Sequence, residues 1–221
     1  MTDVAVVIGA GAGLSASLAR RLSERGMRVL LAARSVADLE GLQAETGAEA
    51  MACDAGEPEE VAALFERADA MGDLAVAVYN PSARSRGPIA TLSPEDGWRA
   101  LRVTAFGAFV MAGEAARRME PRGRGAMLFT GASAGVKGFA NSAPFAMGKF
   151  ALRGLCQSLA RELHPKGIHV GHVVIDGAIG EDEGDARLRP DAIADAYVHL
   201  LDQHRSAWAW EVELRPWTER F

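Results

Sequence analysis

The glycines that follow the first apolar run constrain the fold more than any other feature of this chain. Residues 4–8 (VAVVI) have the composition of a buried strand, and residues 9–13 (GAGAG) follow directly. Leu14, Leu18 and Leu22 then recur at every fourth position, which predicts one face of a helix. Glycines between a buried strand and a helix allow a tight turn and let a pyrophosphate approach the free N–H groups of the helix N-terminus. We therefore expect a strand, a phosphate-binding turn and a helix.

Strand and helix patterns alternate along the rest of the chain. Further strands are predicted at residues 28–33, 49–53, 74–79, 126–130, 168–175 and 207–214. Further helices are predicted at residues 36–46, from 58 onward, from 93 to about 119, at 142–163 and at 190–201. This order is typical of a doubly wound α/β fold, in which helices cover both faces of a parallel sheet. No linker or repeat divides residues 1–221, which predicts a single domain.

The predicted helix from residue 93 begins with a cap residue followed by Pro at its first turn, a common helix start. Its apolar side chains are expected to be buried against the sheet: Trp98, Leu101, Phe109 and Met119.

Composition disfavours several classes of function. The formal net charge of −5 and the absence of a basic tract argue against nucleic-acid binding. The first apolar run is too short for a signal peptide or a membrane span, so we expect a cytoplasmic protein without membrane contact. Cys53 and Cys156 have neither a disulfide pattern nor a metal-ligand spacing and are expected to fill the core. The five histidines form no cluster that predicts a metal site.

The end of the second predicted strand carries a basic residue where dinucleotide-binding folds select their cofactor. An acidic residue at this point binds the ribose 2′-hydroxyl of NAD, whereas an Arg accommodates the 2′-phosphate of NADP. Arg34, followed by Ser35, occupies the position. The sequence therefore predicts NADP(H) as the cofactor, and the alternative is a solvated Arg at the start of a helix.

The glycine spacing resembles that of the short-chain dehydrogenase/reductase family. Gly9, Gly13 and Ser15 match its Gly-x-x-x-Gly-x-Gly turn, with Ser in the last glycine position, and Gly11 and Leu14 lie within the turn. The resemblance implies a Rossmann fold in which these residues border the cofactor. Because Ser adds only a small side chain, we expect the cofactor still to fit.

Further positions extend the resemblance to about residue 177. Asp54 matches the acidic residue that lies against the adenine in this family, and Asn80 matches the second Asn of its Asn-Asn-Ala-Gly segment. Asp176 and Gly177 replace a Pro-Gly pair and are expected near the nicotinamide. For Asp176, a turn cap and a contact with bound ligand both remain open.

The resemblance also identifies a catalytic set of four residues, and three of its positions hold other residues here. Phe145 stands in the position of the Tyr, Thr104 in that of the Asn, and Ala132 in that of the Ser that polarises the substrate carbonyl. Only Lys149 matches, and the resemblance implies that it binds the nicotinamide ribose. A phenyl ring cannot donate a proton, so the set is degenerate.

Other groups are candidates to relay a proton in place of the missing Tyr. Ser133 adjoins Ala132, but neighbouring residues point in different directions, so it substitutes only if the loop shifts. The remaining candidates are Asn141, Ser142, Asp176 and Lys149 itself.

Two functions therefore remain open. One is an atypical NADP(H)-dependent short-chain oxidoreductase that acts on an unknown small organic substrate. The other is a non-catalytic NADP(H)-binding protein, either a redox sensor or a partner of another enzyme. The resemblance also implies a homo-oligomer, a dimer or tetramer, joined through the helices that hold Thr104 and Phe145.

Two late segments are open to more than one interpretation. The acidic stretch at residues 181–185 is either a solvated connection or a charged loop that repels acidic ligands beside an open pocket. The C-terminal residues Trp208, Trp210 and Trp217 pack either against a neighbouring subunit or against the edge of the sheet.

Overall fold

The computed structural model describes residues 2–181 and 184–219. Its centre is a sheet in which every neighbouring pair of strands is parallel, in the order β3-β2-β1-β4-β5-β6-β7. The strands span Asp3–Ile8 (β1), Arg28–Ala33 (β2), Glu49–Ala52 (β3), Asp73–Tyr79 (β4), Gly125–Thr130 (β5), Ile168–Ile175 (β6) and Glu211–Leu214 (β7). The doubly wound α/β fold predicted from the sequence is confirmed, and the described residues form one domain around this sheet.

The helices lie in two layers, one on each face of the sheet. They span Leu14–Glu24 (α1), Glu40–Thr46 (α2), Pro58–Met71 (α3), Pro94–Leu101 (α4), Gly107–Met119 (α5), Ala143–Leu163 (α6) and Pro190–Asp202 (α7). Alternate residues of β1 divide between the layers, because successive strand side chains point to opposite faces. Val4 and Val6 pack with α3, α5 and α6, whereas Ala5 and Val7 pack with α1, α2 and α7.

The helix predicted from residue 93 is continuous but changes its winding. A single π-helical turn, Arg102–Phe106, joins α4 to α5. The expected burial is right for Met119 and wrong for Trp98 and Phe109, which are 58% and 61% exposed. For Phe109 the reason is that Ala108, Met111, Ala112 and Ala115 form the buried side of α5, where the alanines bring the helix close to the sheet and leave the aromatic side chain outside. Trp98 lies on α4, whose buried residue is Ala100.

Smaller differences occur at the element ends. β3 stops at Ala52, before Cys53, and β7 is shorter than expected because residues 205–207 form a 3₁₀ turn. Cys53 and Cys156 are both buried in the core, as predicted. Among the described residues, no helix combines the length and the hydropathy that crossing a membrane requires.

Candidate functional site

A cavity of about 730 Å³ opens at the carboxyl ends of β1, β2, β3 and β4. The strand order reverses between β1 and β4, and ligands of open α/β sheets bind at such a switch point. Four predicted cofactor residues line this cavity: Gly9, Arg34, Ser35 and Asp54. The other residues predicted to contact the cofactor are not among its described lining residues: Gly11, Gly13, Leu14, Asn80, Lys149, Asp176 and Gly177.

The glycine-rich turn has the backbone geometry that a bound pyrophosphate requires. Gly9 has φ +83°, and a Cβ there would lie 2.8 Å from the backbone nitrogen of Pro81, so only glycine fits. A Cβ at Gly11 or Gly13 would meet nothing within 4 Å, which leaves open space over the turn. Gly13 precedes α1 without a side-chain cap, so the first N–H groups of the helix remain available to an anion. The side chain of Leu14 is buried in the core, so only its backbone can take part.

Ser15 has a structural role that the sequence did not reveal. Its Oγ donates a hydrogen bond to the carbonyl of Gly9 at 2.9 Å and accepts one from Nδ2 of Asn80 at 2.7 Å. The backbone N–H of Asn80 in turn donates to the carbonyl of Ile8. Ser15 and Asn80 therefore fix the glycine-rich turn to the end of β4.

Asp54 is held in place at the end of β3. Its Oδ1 accepts a hydrogen bond from the backbone N–H of Gly56 at 2.8 Å, and its own N–H donates to Glu60. A carboxylate fixed in this way is a preorganised hydrogen-bond acceptor at the cavity wall.

The π-helical turn positions Thr104. The hydroxyl of Tyr79 donates to the carbonyl of Val103 at 2.5 Å, which satisfies a carbonyl within the irregular turn. Thr104 is buried, and its Oγ1 accepts a hydrogen bond from the backbone N–H of Ala83 at 3.1 Å. Thr104 therefore anchors the loop that follows Asn80.

Lys149 is enclosed at the junction of α6 and β5. It is 2% exposed, and its Nζ donates to the carbonyl of Thr130 at 2.6 Å. Burial, together with the nearby positive charge of Arg84, lowers the pKa of Lys149 to about 7. Both protonation states of this amine are therefore populated at neutral pH.

Phe145 lies close to two basic groups. The guanidinium carbon of Arg84 is 4.3 Å from the centre of its ring, and Nζ of Lys149 is 6.0 Å from it. Both distances are within the range of cation–π attraction. Sequence reasoning missed Arg84, and the only available signal was a cation four residues after Asn80 in a loop expected to border the cofactor.

The remaining predicted residues lie on neighbouring segments. Ala132 is buried, and Ser133 begins a 3₁₀ turn in which its carbonyl accepts hydrogen bonds from the N–H groups of Val136 and Lys137. The sequence supplied no sign of the contact that Asp176 makes: an ion pair with Arg215 at 3.5 Å.

The C-terminal segment also approaches Gly177, where a Cβ would lie 2.8 Å from Cδ of Pro216. Part of the acidic stretch, Asp182 and Glu183, lies outside the described residues, while Glu181 and Asp185 pair with Arg189 at 3.0 and 3.6 Å. Within the described chain, no group of three or more His, Cys, Asp or Glu is arranged to hold a metal ion.

Comparison with known proteins agrees with this architecture. The family model for short chain dehydrogenases matches residues 3–180. Versicolorin reductase 1 of Aspergillus parasiticus is 34% identical over 186 residues, which are 81% of this chain and 70% of the relative. Cis-4-hydroxycyclohexanecarboxylate dehydrogenase of Sinomonas cyclohexanicum is 32% identical over 77% of this chain and 71% of its own length. The chain therefore belongs to the short-chain dehydrogenase family.

Solved structures show the same relationship. A short-chain dehydrogenase from Rhodopseudomonas palustris superposes with a TM-score of 0.88 at 35% identity, over 97% of this chain and 99% of the other. A metagenomic short-chain oxidoreductase in complex with NADP superposes with a TM-score of 0.86 at 30% identity, over 97% of both chains.

Proposed function

We propose that this protein is an NADP(H)-dependent oxidoreductase whose catalytic set lacks the usual tyrosine. The observation that carries the cofactor assignment is that Arg34 and Ser35 line the same cavity as Gly9 and Asp54. A guanidinium and a hydroxyl at the end of β2 are suited to a 2′-phosphate. The related metagenomic oxidoreductase, which was solved with NADP, supports the same assignment.

The residues present fit the phosphate and adenine parts of the cofactor. The uncapped start of α1 and the open space over Gly11 and Gly13 suit the pyrophosphate. The fixed carboxylate of Asp54 suits the adenine end, as the family resemblance implies. Lys149 is assigned to the nicotinamide ribose, although its Nζ is bonded to the carbonyl of Thr130 here.

The composition of the catalytic set restricts the reactions that are feasible. NADPH supplies a hydride, but Phe145 cannot supply the accompanying proton, and the buried methyl of Ala132 cannot polarise a carbonyl. Loss of a positioned general acid typically lowers a rate by about 10²–10⁴-fold. We therefore propose a substrate that needs no proton from position 145, such as an iminium or an activated alkene that water protonates. The named relatives act on different compounds, so we propose no particular substrate.

A second candidate is a non-catalytic NADP(H)-binding protein. It is favoured by the simultaneous replacement at Thr104, Ala132 and Phe145, because the Thr104 hydroxyl is already occupied by Ala83. Turnover separates the two candidates, since only the first oxidises NADPH in the presence of a suitable acceptor. We retain a cytoplasmic location, residues 1–221 as one functional domain, and no nucleic-acid or membrane partner as expectations.

The cofactor proposal is tested by thermal unfolding with each dinucleotide. NADPH should raise the melting temperature more than NADH, because only the former carries the 2′-phosphate that Arg34 would bind. Arg34→Asp should reverse this order, since a carboxylate repels the phosphate and binds a 2′-hydroxyl.

Arg161→Asp is the matched control for the change in charge. Arg161 is exposed on α6 and donates only to the carbonyl of Gln157 among the hydrogen bonds found here, so its substitution should leave the NADPH preference intact. Equal shifts with both dinucleotides, or a preference that survives Arg34→Asp, would show that the phosphate binds elsewhere.

A further inference from the structure

Arg84 is a cation at the site that pairs with no carboxylate among the described residues. It lines the cavity, is exposed, and stacks on Phe145. Within residues 2–181 and 184–219, no carboxylate or carbonyl contacts its guanidinium group, although most other arginines form such contacts. The five N–H donors of this group are therefore available to a ligand.

The surroundings of Arg84 are positive although the chain as a whole carries a net charge of −5. Desolvation and the charge of Arg86 lower the pKa of Arg84, and Arg84 in turn lowers the pKa of Lys149. Asp96 of α4, which contacts the loop at Ser85, is already bonded to Ser85 and Ser93. An anion at this point would relieve the repulsion among the cations.

Other acidic groups do not supply this anion. Asp54 lines the same cavity but accepts its hydrogen bond from Gly56 at the end of β3. In the acidic stretch, the described carboxylates of Glu181 and Asp185 are paired with Arg189. This pairing weakens the repulsion of acidic ligands that the sequence suggested for that stretch.

The geometry of the guanidinium indicates the shape of the anion. The guanidinium carbon lies 4.3 Å from the centre of the Phe145 ring, so the ring covers one side of the group and the N–H groups away from that contact remain open to a ligand. Parallel N–H pairs on the edge of an arginine match the two oxygens of a carboxylate. The phenyl ring beside them offers an apolar surface to the rest of a small organic molecule.

We infer that Arg84, supported by Phe145, binds the carboxylate of a small organic acid at the side of the cavity where Arg84 meets Phe145. This inference rests on the proposed function and specifies its substrate class: an organic acid whose reacting group lies near the nicotinamide. Arg84 is then a binding and specificity residue. The presence of Phe instead of Tyr at position 145 has a second consequence: because the ring carries no hydroxyl, the guanidinium of Arg84 is the polar group beside it.

Calorimetric titration with matched probes tests the inference. Benzoate and cyclohexanecarboxylate are titrated into the protein with and without saturating NADP⁺, and the neutral amides of both acids serve as controls of the same shape. Wild-type protein should bind at least one acid about tenfold or more tightly than its amide. Arg84→Gln should weaken binding of the acid by about 10- to 100-fold, the range for a charge-assisted bidentate contact, and leave the amide unchanged.

Two further variants separate charge from geometry. Arg84→Lys keeps the positive charge but loses the paired N–H groups of the guanidinium, so its affinity for the acid should be intermediate. Arg86→Gln removes a neighbouring positive charge from the same loop outside the cavity lining and should lower the affinity for the acid less than threefold.

The outcomes distinguish this inference from the proposed function. If NADPH binds but neither acid does, or if Arg84→Gln leaves the binding of the acid unchanged, the inference is wrong and the cofactor assignment stands. If Arg84→Gln weakens the binding of NADPH as strongly as that of the acid, Arg84 binds a cofactor phosphate instead. If the acid binds through Arg84 but NADPH does not bind, the carboxylate site stands and the proposed function fails.

Discussion

At the scale of single residues, our proposal for the site depends on Phe145. The family resemblance assigns the proton donor to this position, and the ring here lies 4.3 Å from the guanidinium carbon of Arg84 and 6.0 Å from Nζ of Lys149. The surroundings of the Phe145 ring are therefore not purely apolar. A positive group, Arg84, lies against the ring, and under our proposal this position binds an anion instead of donating a proton.

Restoring the missing groups should restore carbonyl reduction. Phe145→Tyr with Ala132→Ser supplies a hydroxyl beside Lys149 and a second one to polarise a carbonyl. We expect NADPH-dependent reduction of simple ketones to rise by about 10²-fold or more, in line with the usual contribution of a general acid. Single-turnover oxidation of NADPH measures this rise. Wild-type protein that already reduces simple ketones efficiently, with no gain in the double variant, would contradict our view of the site.

Lys149 should make stability depend on pH above neutrality. Its pKa in the folded state is about 7, below the ordinary 10.5, so between these values the unfolded chain binds a proton that the folded chain does not. The free energy of unfolding contributed by Lys149 therefore rises with pH in this window, by up to about 1.4 kcal/mol per pH unit.

Urea unfolding at pH 7, 8 and 9 checks this expectation. Lys149→Met removes the titrating group, so the difference in stability between wild type and variant should move in favour of wild type as the pH rises. Comparing the two proteins cancels the titration of tyrosines and cysteines, which both retain. A difference in stability between the two proteins that stays constant from pH 7 to 9 would show that the pKa of Lys149 is the same in the folded and the unfolded state.

At the scale of elements, the π-helical turn between α4 and α5 links the fold to the site. It holds Thr104, whose hydroxyl fixes the loop that carries Arg84. The turn packs closely, since a Cβ at Gly107 would lie 2.1 Å from the carbonyl oxygen of Ala55. A small change in this turn therefore reaches the cavity directly through Val103, which lines it, and through the hydrogen bond between Thr104 and Ala83.

Tyr79→Phe should loosen this turn. The variant removes the hydrogen bond that the hydroxyl of Tyr79 donates to the part-buried carbonyl of Val103, and a typical hydrogen bond contributes about 0.5–1.5 kcal/mol to stability. Urea unfolding measures the change. Thr91→Val is the control, because it removes an exposed hydroxyl bonded to the carbonyl of Pro88 and should cost less than about 0.5 kcal/mol. Equal losses of unfolding free energy in the two variants would show that the hydrogen bond of Tyr79 contributes no more than an exposed one.

At the scale of the whole molecule, the helices that hold Thr104 and Phe145 expose large apolar side chains. Trp98, Phe106 and Phe109 lie on or between α4 and α5, and Met147 and Phe150 lie on α6. Exposed apolar side chains concentrated in this way are typical of an interface. They support the expectation of a dimer or tetramer joined through these helices.

Phe109→Lys should therefore dissociate the oligomer, because a buried ammonium without a partner is costly at an interface. Light scattering after size-exclusion chromatography gives the mass. Trp217→Lys is the control, since Trp217 is 81% exposed on the C-terminal segment. Dissociation by Trp217→Lys alone would place the interface at the C-terminal segment. A monomeric wild type would exclude an interface at either place.

Much of the architecture could be predicted from local pattern. The seven strands, the glycine-rich turn and the cavity position of Arg34 follow from periodicity and from residue types that act within a few positions of one another. The exposure of Trp98 and Phe109 could not be predicted, because an apolar pattern does not say which side of an amphipathic helix the small residues will turn toward the sheet.

The sequence by itself therefore determined the α/β alternation, the phosphate-binding turn and the absence of a hydroxyl at Phe145. Only the tertiary structure decided which groups meet: Ser15 with Asn80, Asp176 with Arg215, and Arg84 with Phe145. These partners are far apart in sequence and come together because the order of the parallel strands brings their carboxyl ends to one edge. Backbone periodicity is set locally, whereas contacts between side chains depend on how the strands are ordered in the sheet.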